Sequence, residues 1–102
     1  MKILVVGSGG REHSLIWKLS QSDKKPELHC APGNAGIADL AGCHDIPVDD
    51  VIGQVNLARR LDVDLVVVGP ELPLTLGLVD KLDEERIRAI GPTAEAPQLE
   101  SS

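Results

Sequence analysis

A chain of 102 residues that is 42% hydrophobic and 25% charged has the size and composition of one globular domain. Its net charge of −6 excludes a general nucleic-acid binder, which needs a basic face to displace counterions from phosphates, and there is no Phe or Tyr to stack on bases. No apolar run approaches the roughly 20 residues that span a bilayer, and Met1-Lys2 leads straight into a strand-like run without an apolar signal region, so the expectation is a cytoplasmic protein with no membrane partner. Cys30 and Cys43 lack a metal-ligand spacing such as C-x-x-C and are expected to be reduced thiols.

In chain order, Lys2 to Val6 reads as a short buried strand, and the glycine turn Gly7-Ser8-Gly9-Gly10 leads into a helix from about Gly10 to Ser20. Leu15, Ile16 and Leu19 mark its apolar side, and Trp17, the only aromatic residue, is expected to pack with them against the sheet. A second strand, Leu28 to Ala31, meets Pro32-Gly33-Asn34-Ala35-Gly36, whose glycines and proline are expected to form a loop without a stable helix. Asp45 to Val48 is predicted as a brief edge strand, because Pro47 lacks a ladder donor. Asp49 or Asp50 then caps a helix with Val51, Ile52, Val55, Ala58 and Leu61 on one face.

Leu65 to Val68 is a continuous apolar run, as expected of a parallel strand covered on both faces. Beyond Gly69-Pro70-Glu71, the spacing of Leu74, Leu78, Val79 and Leu82 predicts helix up to Glu85, and Ile87 to Ile90 returns as a last strand before Gly91-Pro92-Thr93. Thr93 is suited to cap a short final helix in which Pro97 is out of place. Strands alternating with helices predict an α/β fold with a doubly wound parallel sheet, a Rossmann-like three-layer domain. Ligands of such a sheet bind beyond the carboxyl ends of the strands, where strand order reverses. The loops at Gly7 to His13, Pro32 to Gly36, Gly69 to Glu71 and Gly91 to Thr93 are all expected at that edge.

A dinucleotide site is the first reading of the glycine turn, and two departures oppose it. Glu12 stands where the third glycine of G-x-G-x-x-G is needed, and Ala31-Pro32 follows the second strand where an acid should hold a ribose. No G-K-[ST] follows the turn, so there is no Walker P-loop. The turn offers polar groups instead. Arg11 has the geometry for paired bonds to phosphate or carboxylate, and Glu12 could hold hydroxyls or an amine. Glu12 in a first turn also favours the helix dipole by itself, Arg11 is equally compatible with a solvated side chain, and His13 with a structural one. Glu71, after the most buried strand and the stiff Gly69-Pro70, is in a ligand position, with a helix N-terminal acid as the plain alternative. Asp62, Asp64, Asp83, Glu84 and Glu85 read as a solvated face, and the three histidines lack carboxylate or cysteine partners at metal spacing, so no metal site is expected.

Four motifs then carry a resemblance: Gly7-Ser8-Gly9-Gly10-Arg11-Glu12-His13, Ala31-Pro32-Gly33-Asn34-Ala35-Gly36, Val68-Gly69-Pro70-Glu71-Leu72-Pro73-Leu74, and Gly91-Pro92-Thr93-Ala94 with Gln98-Leu99-Glu100. In this order and spacing they resemble the N-terminal domain of the phosphoribosylamine-glycine ligase (glycinamide ribonucleotide synthetase) family of the ATP-grasp superfamily, over essentially the whole chain. Pro97 departs from the family pattern and bears on the last helix only. The resemblance implies a pre-ATP-grasp domain at residues 1–102, followed in the family by ATP-grasp lobes and a C-terminal domain that this chain does not contain. It implies an intact enzyme of purine biosynthesis that uses ATP with Mg2+ or Mn2+ to turn the glycine carboxylate into an acyl phosphate, which the amine of 5-phosphoribosylamine attacks. Catalytic and metal-binding groups are then not expected in this stretch, which alone would be inactive and bind no cofactor tightly. The residues carried over as substrate-binding are Gly9, Gly10, Arg11, Glu12, His13, Asn34, Pro70 and Glu71. The alternative is a non-catalytic Rossmann-like nucleotide-binding module.

Overall fold

The sheet is built on Lys2–Gly7 (β1), whose residues 3–6 are an unbroken apolar run, with a parallel neighbour on each side. A computed structural model describes residues 1–91 of the chain. After β1 come α1 (Gly10–Ser20), β2 (Glu27–Pro32), α2 (Ala35–Ala38), β3 (Gly42–Cys43), α3 (Val51–Leu61), β4 (Leu65–Val68), α4 (Glu71–Thr75), α5 (Leu78–Glu84) and β5 (Ala89–Ile90). The strands form one five-stranded parallel sheet in the order β3-β2-β1-β4-β5. This is the predicted doubly wound α/β architecture, and strand order reverses between β1 and β4.

Alternate side chains of a strand point to opposite faces, so β1 divides its residues between two cores. Ile3 and Val5 join Ile16, Leu28, Cys30 and Ile37 under α1 and α2. Leu4 and Val6 join Val55, Leu57, Ala58, Val66, Val68, Leu78 and Leu82 under α3 and α5. Asp50 caps α3 by accepting the Gly53 N–H at 3.0 Å, and Asp62 closes it in the left-handed conformation.

Several local expectations are corrected. Residues 45–48 form no strand; the third strand is the pair Gly42–Cys43 before them. The carbonyls of Ile46 and Pro47 instead accept from the buried Gln54 Nε2, at 3.0 and 2.9 Å. A side chain in α3 thus replaces the ladder partner that a proline-containing segment could not hold. The second loop does contain a helical turn, α2, because the Asn34 side chain accepts the Ile37 N–H and starts it. The segment after Glu71 is two helices, divided where Gly77 takes a φ of +87°. The last strand is limited to Ala89–Ile90.

Two side chains lie on the other side of their helices from where their neighbours suggested. Trp17 is 54% exposed, since one residue beyond the fully buried Ile16 turns about 100° around the helix. Ile52 is 70% exposed for the same reason, and α3 buries Gln54, Val55, Leu57 and Ala58. Asp62, Asp64, Asp83, Glu84 and Glu85 are exposed, as expected. The predicted Thr93 cap, the final helix with Pro97, and the fourth loop beyond Gly91 lie outside the described residues.

Candidate functional site

The switch point is occupied by one side chain. Glu12, in the first turn of α1, is only 8% exposed and lies across the carboxyl ends of β1 and β4. Its Oε1 accepts the Gly9 N–H at 2.9 Å. A Cβ on Gly7 would stand 2.6 Å from Oε1, and one on Gly69 would overlap Oε2. Gly7 (φ +147°) and Gly69 are therefore glycine because the Glu12 side chain fills the space beside them. This is the volume that a third glycine would leave open for helix packing and pyrophosphate approach, so the structure gives the physical content of the failed dinucleotide fingerprint.

Around this carboxylate the chain leaves a polar rim. Gly10 opens α1 with empty space where a Cβ would be, and Arg11 beside it is exposed and makes no ion pair among the described residues. The amides of Gly10 and Arg11 have no carbonyl one turn before them, which makes this helix end a donor surface for an anion. The first intrahelical bond runs from the His13 N–H to the Gly9 carbonyl at 3.0 Å.

The second loop is fastened to the first by Asn34. Its Nδ2 donates to the Ser8 carbonyl at 2.7 Å while its Oδ1 accepts the Ile37 N–H at 2.9 Å, so both ends of the amide are engaged within the protein. The Gly33 N–H donates to the Gly7 carbonyl at 3.0 Å, and the Cys30 thiol donates to the same oxygen at 3.2 Å. His13 reaches across from α1 to the second loop, its Cε1 2.8 Å from where a Cβ on Gly36 would be. Asn34 and His13 thus brace two loops together. The sequence signal for Asn34 was its place as an N-cap three residues before Ile37, which an emphasis on glycine and proline hid.

The third loop completes the edge. The Gly69 N–H donates to the Val6 carbonyl at 2.9 Å, half-buried Pro70 caps α4, and Glu71 is the first residue of that helix. Gly9, Gly10, Arg11, Glu12, His13, Asn34, Pro70 and Glu71 are therefore gathered at the ends of β1, β2 and β4, as the topology required. Gly91, the start of the fourth loop, stands against Leu74, whose Cδ1 is 3.1 Å from a Cβ built there.

Both cysteines are free, and they are register partners on β2 and β3. Burial, then the neighbouring Cys43 and the Glu12 charge, push the Cys30 thiol up to about 12, so it is inert as a nucleophile at neutral pH. At the far edge of the sheet, His29 Nδ1 is 3.0 Å from His44 Nε2, and His29 Nε2 is 2.7 Å from Glu27 Oε2. His29 therefore has the carboxylate partner that the sequence did not suggest. That hydrogen bond lowers the Glu27 carboxyl, while burial, followed by the positive charges of His29 and Arg60, lowers His44. Among the described residues no group of three or more His, Cys, Asp or Glu side chains could hold a metal ion, and no helix is long and apolar enough to cross a membrane.

A family profile described as "Phosphoribosylglycinamide synthetase, N domain" matches residues 1–100. The phosphoribosylamine-glycine ligase of Xanthomonas campestris is 56% identical over 104 residues and that of Brucella melitensis 52% over 102, each match covering 100% of this chain and 24% of the relative. The chain thus spans about a quarter of the length of these relatives. The crystal structure of the Thermotoga maritima phosphoribosylamine-glycine ligase superposes with a TM-score of 0.55 at 22% identity, over 76% of this chain and 18% of that one, and shows the same fold. With the match running nearly end to end, the chain belongs to the phosphoribosylglycinamide synthetase N-domain family.

Proposed function

We propose that this chain is the N-terminal, substrate-side domain of a purine-biosynthetic ligase that joins glycine to 5-phosphoribosylamine, with ATP giving ADP and phosphate, and that it forms the phosphoribosylamine-facing wall. The observation that carries this reading is the site's layout in a chain matched over residues 1–100. Three loops at the switch point present an exposed Arg11 and a free helix end beside a carboxylate that fills the dinucleotide position. In this reading the amides of Gly10 and Arg11, with the Arg11 guanidinium, hold the sugar phosphate, for which helix dipole and planar fork are both suited. Gly9 and Glu12 shape the turn, with Glu12 Oε2 facing Gly69, and His13 and Asn34 keep the second loop in register with the first. Pro70 directs the third loop, so that Glu71 meets the ribose or the amine.

Among the described residues no group of three or more His, Cys, Asp or Glu side chains could hold a metal ion, and the sequence has no G-K-[ST] turn to cradle phosphates. We assign ATP, metal and the catalytic groups to the ATP-grasp and C-terminal domains of the longer protein, and place the enzyme in the cytoplasm, where two unpaired thiols persist. The test uses the full-length ligase, which should form ADP only when glycine and phosphoribosylamine are both present. Gly10→Asp adds a negative charge in open space and so should fold while repelling the phosphate. If Gly10→Asp and Glu71→Ala both leave turnover unchanged, the site assignment is wrong. Calorimetry on the 102-residue chain separates the alternative, since micromolar nucleotide binding without the other domains would favour a binding module.

A further inference from the structure

The two cysteines of the chain meet at one point beneath the second loop. Cys30 and Cys43 are register partners on β2 and β3, and the ladder continues past them, since the His44 N–H donates to the Cys30 carbonyl at 2.9 Å. Register partners in a parallel sheet share a face and stand roughly 4.8 Å apart at Cα, inside the window of about 4.4 to 6.8 Å that a disulfide spans. The loop gives the same convergence independently. A Cβ on Gly33 would stand 3.2 Å from the Cβ of Cys43 and 3.6 Å from that of Cys30, and would overlap the Cys43 sulfur. Gly33, at a φ of +75°, puts no side chain into that space. Both thiols are free, but they differ in access. Cys43 is exposed, whereas Cys30 is fully buried, its thiol donating to the Gly7 carbonyl at 3.2 Å.

We propose that Cys30 and Cys43 form a reversible thiol–disulfide pair, oxidised by a low-molecular-weight disulfide that enters at Cys43, and that the bond closes a ring around the second loop. Gly33, Asn34 and α2 all lie between the two cysteines. The Cys43 thiolate attacks one sulfur of the small disulfide, whose S–S bond breaks and whose other half leaves as a thiolate. The Cys30 sulfur then attacks Cys43 Sγ, its proton passes to solvent, and the second half leaves in turn. The protein loses two S–H hydrogens and gains one S–S bond, while the small disulfide is reduced to two thiols. Burial keeps Cys30 from attacking a disulfide in solution, but the register sets it against the one formed on its neighbour, where attack is intramolecular. In a reducing compartment the dithiol is the resting form, and a rise in the small disulfide converts it. The Gly7 carbonyl gives up the Cys30 donor and keeps the Gly33 N–H at 3.0 Å, so the first turn stays tied to the second loop. The inference needs the two strands and not the ligase reading, so each can fail without the other.

The test equilibrates the full-length ligase, and beside it the 102-residue chain with no other cysteine, with oxidised and reduced glutathione at about pH 8, followed by acid quench and mass spectrometry. The expected product is a monomer lighter by two hydrogens, in which cleavage at Asp39, between the two cysteines, leaves two peptides joined. For the 102-residue chain the equilibrium constant for closure should be at least about tenfold higher when folded than in concentrated urea, because the register holds the sulfurs together. An equal constant in the two conditions, a product that stops at one glutathione on Cys43, or a disulfide-linked dimer would overturn the proposal. With one cysteine left in each variant, the thiol of Cys30→Ala should take up glutathione at least about tenfold faster than that of Cys43→Ser, and equal rates would overturn entry at Cys43. Amide exchange of Ile37, inside the ring, should slow severalfold on oxidation and recover on reduction; exchange that does not change would overturn the bracing of the second loop.

Discussion

On one face of the sheet, α3 and α5 bury Val55, Leu57, Ala58, Leu78 and Leu82 against Leu4, Val6, Val66 and Val68; on the other, α1 and the four-residue α2 bury Ile16 and Ile37 and leave Trp17 in solvent. The first face is closed by the chain itself. The second carries the braced loops and the free helix end. Where a parallel sheet requires cover on both faces, a face covered by one full helix and one turn is the less fully closed. Stability and recognition are therefore expected to separate by face.

The largest loss should come from the closed face. Leu57→Ala removes a fully buried side chain and should cost about 2–5 kcal/mol in urea unfolding, and a loss below about 1 kcal/mol would mean that α3 and α5 do not close the core as described. Gly7→Ala acts at the switch point, where a positive φ and the Glu12 side chain both oppose a methyl group, and should cost about 1–3 kcal/mol. Part of that loss should be regained in the double variant with Glu12→Ala, because the two side chains compete for one space; strict additivity would show that Glu12 does not fill it. Asn34→Ala removes a helix cap and the tie to Ser8, for about 1–2 kcal/mol, and amide exchange of Ile37 should quicken with it.

A smaller effect should follow pH at the β2–β3 edge. His44 binds its proton less readily in the folded chain than the ordinary value of 6.5, so its contribution is present above that pH and declines as pH falls below it. Glu27, lowered from 4.5, adds a loss of the same sign at still lower pH. Urea midpoints measured between about pH 7 and 5 should fall for the parent and fall less for His44→Gln, and parallel curves would remove His44 as the cause. Least affected should be Trp17→Ala in the 102-residue chain, within about 0.5 kcal/mol, since the ring is half in water; a loss like that of Leu57→Ala would make α1 part of the closed core and erase the contrast between the faces.

Much of this was legible because parallel strands and their loops leave local marks. Continuous apolar runs at 3–6 and 65–68 announce strands buried on both faces, and glycines after them announce turns at the ligand-binding edge. Glu12 in place of a glycine was enough to oppose a dinucleotide. The errors share a different cause. Pro47 marked a poor strand, but that Gln54 would take up its carbonyl depends on a contact between separate elements. Trp17 and Ile52 belong to apolar clusters in sequence, yet which residues of a cluster face inward depends on helix phase, which packing fixes.

By itself, then, the sequence determined the main strands and long helices, the parallel α/β class and the four family motifs, since periodicity, turn chemistry and glycine position act over a few residues. Only the tertiary structure decided that Glu12 fills the space between β1 and β4, that Asn34 ties one loop to the next, and that Trp17 on α1 is half exposed while Ile16 beside it is buried. The physical reason is that each is a meeting of side chain and backbone from segments distant in the chain, whose approach is set by strand order and helix packing.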